Sequence, residues 1–194
     1  MLLETAEAPD RTREGLAALM AAYQQADPAA ATELIRQVSP VLYRFLAAHA
    51  RPREQADDLL QECWLRIHRS RHTYRVGEPV LPWMYAIARH TRIDGFRRRR
   101  RIDAFEVAVE PLPEPAVHLR PRDNGTGPDL DELLGGLPDS QREVLWMLKV
   151  TGMTLEEVAR ATGTTVGAVK QKAHRAYEKL RQKLGEALPE RGIK

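Results

Sequence analysis

Apolar residues recur at three- and four-residue steps through most of this 194-residue chain, and no stretch alternates as a half-buried strand would. That single periodicity restricts the chain to an all-α fold. "LAALMAAYQQ", "AAATELIRQVSPVLYRFLAAHA" and "REQADDLLQECWLRIHRS" each read as an amphipathic helix. Pro28 and Pro40 are both expected near helix starts, where a missing N–H costs little. "RHTYRVGEPVLP" breaks the pattern with Gly77, Pro79 and Pro82 and marks a loop. "PWMYAIARHTRIDGFRRRRR" resumes it, with Pro82 in a first turn.

One longer interruption, "EPLPEPAVHLRPRDNGTGP", combines proline, glycine and charge without a sustained period. It divides the chain into two small helical domains. The expected organisation is a loose N-terminus over 1–14, a helical domain over 15–102, a linker over 103–128, a second helical domain over 129–188 and a tail over 189–194. At 43% hydrophobic residues each part can bury a core. A single cysteine, Cys63, excludes an internal disulfide and fits a reducing compartment. No run approaches the ~18 apolar residues of a membrane span, and the N-terminus lacks a basic-then-apolar leader pattern. A cytoplasmic protein is expected.

The net charge of +3 conceals segregation. Acidic residues gather around Asp57–Glu62 and Asp129–Glu132, and basic ones around Arg66–Arg75, Arg89–Arg101 and Lys170–Lys183. Such separation suits a polyanion on some faces and a basic partner on others.

"TLEEVARATGTTVGAVKQKAHRAYEKLRQKL" reads as a helix-turn-helix. Thr154 and Glu157 form a T-x-x-E capping box. Ala159 is small enough for a close second helix, Gly163 suits a turn with positive φ, and Val169 faces inward. The second helix exposes Thr165, Gly167, Lys170, Gln171, His174 and Arg175, the positions from which a recognition helix reads base edges. In the preceding "LPDSQREVLWMLKVTGM", Leu137, Val144, Leu145, Leu148 and Val150 are assigned to the core. Arg142 is assigned to the surface, within reach of phosphate.

In the first domain Leu60, Cys63, Trp64 and Ile67 form an apolar stripe, beside an acidic face of Asp57, Asp58, Gln61 and Glu62 able to dock a basic helix. The helix after the loop gathers Trp83, Tyr85, Arg89, His90, Arg92 and the run Arg97–Arg101. Aromatic and cationic groups together suit single-stranded nucleic acid, although core packing competes for Trp83 and Tyr85.

"ADDLLQECWLRIHR", "PWMYAIARHTRIDGFRRRRR", a linker, "LPDSQREVLWM" and "TLEEVARATGTTVGAVKQKAHRAYEKLR", in that order, resemble a bacterial RNA polymerase sigma factor of the extracytoplasmic-function (ECF) type, over about Ala30 to Leu184. The resemblance implies two domains, regions 2 and 4, and no chemistry of its own. It implies binding to core RNA polymerase through the β′ clamp, at Asp57, Asp58, Gln61 and Glu62, and through the β flap. It implies recognition and melting of a promoter minus-10 element by Tyr74, Trp83, Tyr85, Arg89, His90, Arg92, Arg97 and Arg98. It implies duplex reading of a minus-35 element by the helix-turn-helix. An anti-sigma factor, often membrane-bound in this family, is a further implied partner. His90 stands where the family often has asparagine, and Pro82 precedes the tryptophan where a small or polar residue is common.

Two other classes compete. A stand-alone helix-turn-helix regulator would need neither the acidic face nor the aromatic–basic helix. An enzyme acting on nucleic acid would need better motifs. His68 and His72 share metal-pair spacing but sit among arginines, Cys63 lies on an apolar stripe, and no phosphate-cradling glycine loop is present. No catalytic residue, cofactor, metal or small-molecule substrate is therefore expected.

Overall fold

A computed structural model describes residues 7–49, 55–105, 134 and 136–187. Most of the expected linker, from 106 to its end at 128, lies outside the described residues, as does the tail. Every regular element among the described residues is helical.

Helix α1 spans Glu7–Gln24 and so starts ahead of the expected boundary at Gly15. It buries Leu16, Met20 and Tyr23. Ala26 ends it in the left-handed region, at φ 63°, where Asp27 N–H donates to Ala22 O at 3.2 Å. Asp27 then caps α2 (Pro28–His49), its Oδ1 accepting from Ala29 N at 2.8 Å and Ala30 N at 3.2 Å. Pro28 is at the helix start as expected, but Pro40 lies inside the helix. The helix continues because Leu34, Val38, Leu42, Phe45 and Leu46, at successive helical steps, are all buried, while Pro40 itself is exposed. Packing of that face outweighs the lost backbone hydrogen bond.

Helix α3 (Ala56–Ser70) buries Cys63 and Ile67 and turns Asp57, Asp58 and Gln61 to solvent. A 3-10 turn, Arg71–Thr73, follows and is held to α1 by Gln24, whose amide donates to Arg71 O and Tyr74 O at 2.7 and 2.8 Å. Helix α4 (Val80–Phe105) has Pro82 in its first turn and runs through the arginine cluster rather than ending at it. It packs on α3 and α2. At Gly95 a Cβ would meet Leu59 Cδ2 at 2.9 Å, so glycine permits this close crossing.

The second module contains α5 (Asp139–Leu145), a π-helical turn (Trp146–Val150), α6 (Leu155–Thr162) and α7 (Val166–Ala187). Leu137, Val144 and Leu145 are buried as expected, while Leu148 and Val150 are only half-buried. The wider turn, with Thr151 N–H reaching Trp146 O, accompanies burial of Trp146 and Met147 instead. Arg142 is also a correction. It is 6% exposed, and its guanidinium donates to Leu134 O at 3.2 Å and Leu137 O at 3.1 Å, so it staples the start of this module and does not face phosphate.

The two modules share a seam. α4 packs against α6, and the His49 ring meets the Trp146 ring edge-on with centroids 6.0 Å apart. Arg13 donates to Gly152 O at 2.9 Å and pairs with Glu157, and Arg160 pairs with Glu78. No helix among the described residues is long and apolar enough to cross a membrane.

Candidate nucleic-acid interface

The second module presents one polar helix face by local rules. The Thr154 hydroxyl accepts from Glu157 N at 3.1 Å and the Glu157 carboxylate accepts from Thr154 N at 2.8 Å, completing the capping box of α6. Gly163, at φ 64°, closes α6 in the left-handed conformation that disfavours side chains. Thr165 caps α7, its hydroxyl accepting from Ala168 N at 3.2 Å. Val169, Ala173 and Ala176 are buried, which forces Thr165, Gly167, Lys170, Gln171, His174 and Arg175 outward, away from that core. The face therefore offers cationic and amide donors on a rigid helix with a small residue near its start. Its dimensions and chemistry suit a major groove.

The first module divides its aromatic and basic residues differently. Tyr74 and Tyr85 are 3% and 0% exposed, so neither offers a ring to nucleic acid in this arrangement. Tyr74 donates its O–H to Glu78 O and packs edge-on against Trp83, with centroids 5.7 Å apart. Tyr85 packs edge-on against Phe45 at 5.0 Å, and burial pushes its hydroxyl pKa upward. Both fill the core because they lie on the inward face of the loop–helix junction. Trp83 is half-buried and His90 is exposed. Arg97, Arg98, Arg100 and Arg101 are exposed and Arg99 is half-buried. Consecutive helical residues point about 100° apart, so the run spreads charge around the whole axis of α4. Arg89 and Arg92 are engaged across the seam by Glu143.

On α3, Asp57, Asp58 and Gln61 are exposed and Glu62 is half-buried. Glu62 accepts from Arg66 Nε at 2.8 Å, and Arg66 also reaches Asp94 at 2.7 Å, whose carboxyl pKa that hydrogen bond lowers. The acidic face is thus partly neutralised at Glu62 and open at Asp57 and Asp58. Cys63 is fully buried and burial pushes its thiol up to about 12, which suits packing and not nucleophilic attack. His68 shares a 2.7 Å hydrogen bond through Nδ1 with the Tyr23 hydroxyl.

Sequence reasoning missed Glu143. It interrupts the run of core residues in "REVLW", and a carboxylate there signals a buried partner. Nothing local identifies that partner, since Arg89 and Arg92 lie more than fifty residues away.

The family Sigma-70 region 2 matches residues 34–102, and the family Sigma-70, region 4 matches residues 129–180. The chain is 33% identical over 154 residues to the RNA polymerase sigma factor CarQ of Myxococcus xanthus, covering 79% of this chain and 88% of CarQ. It is 33% identical over 188 residues to the ECF RNA polymerase sigma factor SigD of Mycobacterium tuberculosis, covering 91% of this chain and 88% of SigD. Its fold is similar to that of the sigma factor RpoE of Bartonella quintana solved with the anti-sigma factor NepR, with TM-score 0.65 and 23% identity, covering 79% of this chain and 95% of that one.

Proposed function

We propose, for a chain that belongs to the extracytoplasmic-function type of RNA polymerase sigma factors, a division of labour among its three polar surfaces. As a member of that family the protein directs promoter-specific transcription initiation by core RNA polymerase. In our reading α7 reads the minus-35 element as duplex, with Lys170 and Gln171 as the principal base readers and His174 and Arg175 beside them. The observation that carries this is the outward placement of those four side chains on a helix capped by Thr165, whose opposite face is used by Val169, Ala173 and Ala176.

The surface of α4, with Trp83, His90, Arg97 and Arg98, receives the minus-10 element; cations there supply salt-sensitive affinity and the aromatic and imidazole groups selectivity. The outward carboxylates Asp57 and Asp58, with Gln61 and Glu62, dock the polymerase clamp. The protein works without chemistry of its own and in the cytoplasm, where promoter and polymerase meet. An anti-sigma factor is its expected regulator, a reading supported by the similar fold of an RpoE solved with one.

Run-off transcription with core polymerase tests the proposal. The protein should enable initiation at its cognate promoter and bind the promoter duplex weakly alone. Lys170→Ala and Gln171→Ala should each lose about 1–3 kcal/mol of discrimination against altered minus-35 bases. Tight sequence-specific binding by the free protein, with no effect on initiation, would instead identify a stand-alone regulator.

A further inference from the structure

After proline, glycine is the residue least favoured inside a helix, because it has the most backbone freedom to lose. A helical glycine therefore calls for a reason. Gly95 has one within the fold, where a Cβ would meet Leu59 Cδ2 at 2.9 Å. Gly163, closing α6, has another in its left-handed φ of 64°. Gly167, the second residue of α7, has neither. Its φ is not left-handed. Outside the backbone of its own helix, a Cβ there would meet nothing among the described residues nearer than Thr165 Oγ1 at 3.9 Å, an ordinary contact.

The space at Gly167 is open on the side from which DNA comes. The residue is exposed and stands three, four and seven positions before Lys170, Gln171 and His174, at the foot of the stripe they form. The buried Val169, Ala173 and Ala176 lie on the opposite side of the helix. The first turns of a recognition helix are the part that meets base edges in the major groove. There the missing side chain leaves a notch the size of one methyl group, and the apolar group that a base pair projects into the major groove is the C5-methyl of thymine.

We propose that Gly167 is a specificity-determining residue of the minus-35 reader, its missing Cβ forming a notch that admits a thymine methyl at one base-pair position. The proposal rests on the reading of α7 as the minus-35 helix. Lys170 and Gln171 then read by donating hydrogen bonds, and Gly167 reads by shape. Gly15 in α1 supplies the comparison: it too is exposed, with no atom among the described residues within 4 Å of a Cβ, but it lies on a different helix from the reader stripe.

The test uses holoenzyme assembled from core polymerase and the full chain, as wild type, Gly167→Ala, Lys170→Ala and Gly15→Ala. Wild-type holoenzyme first selects a promoter from a library randomised over the minus-35 element. Each thymine of that element is then replaced singly by deoxyuridine, which removes the methyl and nothing else. Wild type should lose affinity about threefold to fourfold at one thymine, the worth of one buried methyl. Gly167→Ala should lose about tenfold on the thymine duplex, as an overpacked contact does. It should regain most of that with deoxyuridine at the same position and at no other. Gly15→Ala should bind as wild type does. Both alanine-for-glycine variants should melt about 1–4 °C above wild type. A Gly167→Ala protein that melts below wild type overturns the proposal, because the Cβ would then crowd the fold itself. An equal loss on every minus-35 sequence without rescue by deoxyuridine also overturns it, since that is crowding against the DNA backbone. Wild-type binding by Gly167→Ala overturns the notch alone if Lys170→Ala still alters the minus-35 preference; if neither alters it, the reading of α7 falls as well.

Discussion

His49 should make the junction of the two modules sensitive to acid. The side chain is 6% exposed and packs among Phe45 and Trp146. Its Nδ1 lies 2.7 Å from Phe45 O, a carbonyl that can only accept, so Nδ1 carries the proton in the neutral ring. An added proton must therefore go to Nε2, which is buried without a partner among the described residues. The His49 pKa is lowered from its ordinary 6.5 to about 4, chiefly by burial, with Arg92 and Arg142 adding to the drop and the Phe45 carbonyl and Glu143 opposing it. The folded pKa is depressed, so below 6.5 the unfolded chain binds the proton that the folded chain refuses. The stability contribution is complete above about pH 6.5 and is lost as pH falls toward 4. A difference of about 2.5 pH units at about 1.4 kcal/mol each sets a ceiling of ~3.5 kcal/mol, of which ~2 kcal/mol is already lost at pH 5. Urea unfolding followed by circular dichroism at pH 7.5 and pH 5, for wild type and His49→Phe, isolates the effect, because carboxylate titration is common to both. Wild type should lose ~2 kcal/mol more than the variant between the two pH values. Equal losses would refute the reasoning, since they would mean that the ring accepts its second proton without penalty.

Two further outcomes follow from local geometry and from charge. Ala26→Gly should stabilise the protein, because left-handed backbone costs a non-glycine residue about 1–2 kcal/mol and the extra entropy of unfolded glycine returns about 0.5–1 kcal/mol of that. The net gain of ~0.5–1 kcal/mol should raise Tm by about 1–4 °C in a thermal melt, and an unchanged or lower Tm would contradict the left-handed turn. Arg97→Ala with Arg98→Ala should weaken promoter complexes uniformly and flatten their log–log salt dependence by about 0.9 for each duplex phosphate no longer neutralised, leaving the ranking of promoters intact. Complex formation measured against salt at several promoters checks this, and an unchanged slope would assign both arginines to a solvated helix face.

The sequence by itself determined the elements and one of the surfaces. Helical periodicity, the T-x-x-E box at Thr154 and Glu157, and Gly163 are local signals, legible because a capped helix fixes its own faces within about two turns. Once Val169, Ala173 and Ala176 were assigned inward, Lys170, Gln171 and His174 could only point out. Tertiary structure decided the rest. Tyr74 and Tyr85 are aromatic residues beside a basic helix, and sequence cannot separate a stacking platform from a core ring; packing against Trp83 and Phe45 did. Pro40 was carried inside α2 because a continuous buried face outweighed one missing hydrogen bond. Arg142 became a buried staple because the Leu134 and Leu137 carbonyls turned toward it. Glu143 found Arg89 and Arg92 across more than fifty residues, and no periodic pattern encodes that distance. Patterns along a chain report which side of an element is buried; the partner that buries it, and the charges trapped between them, exist only once two elements have met.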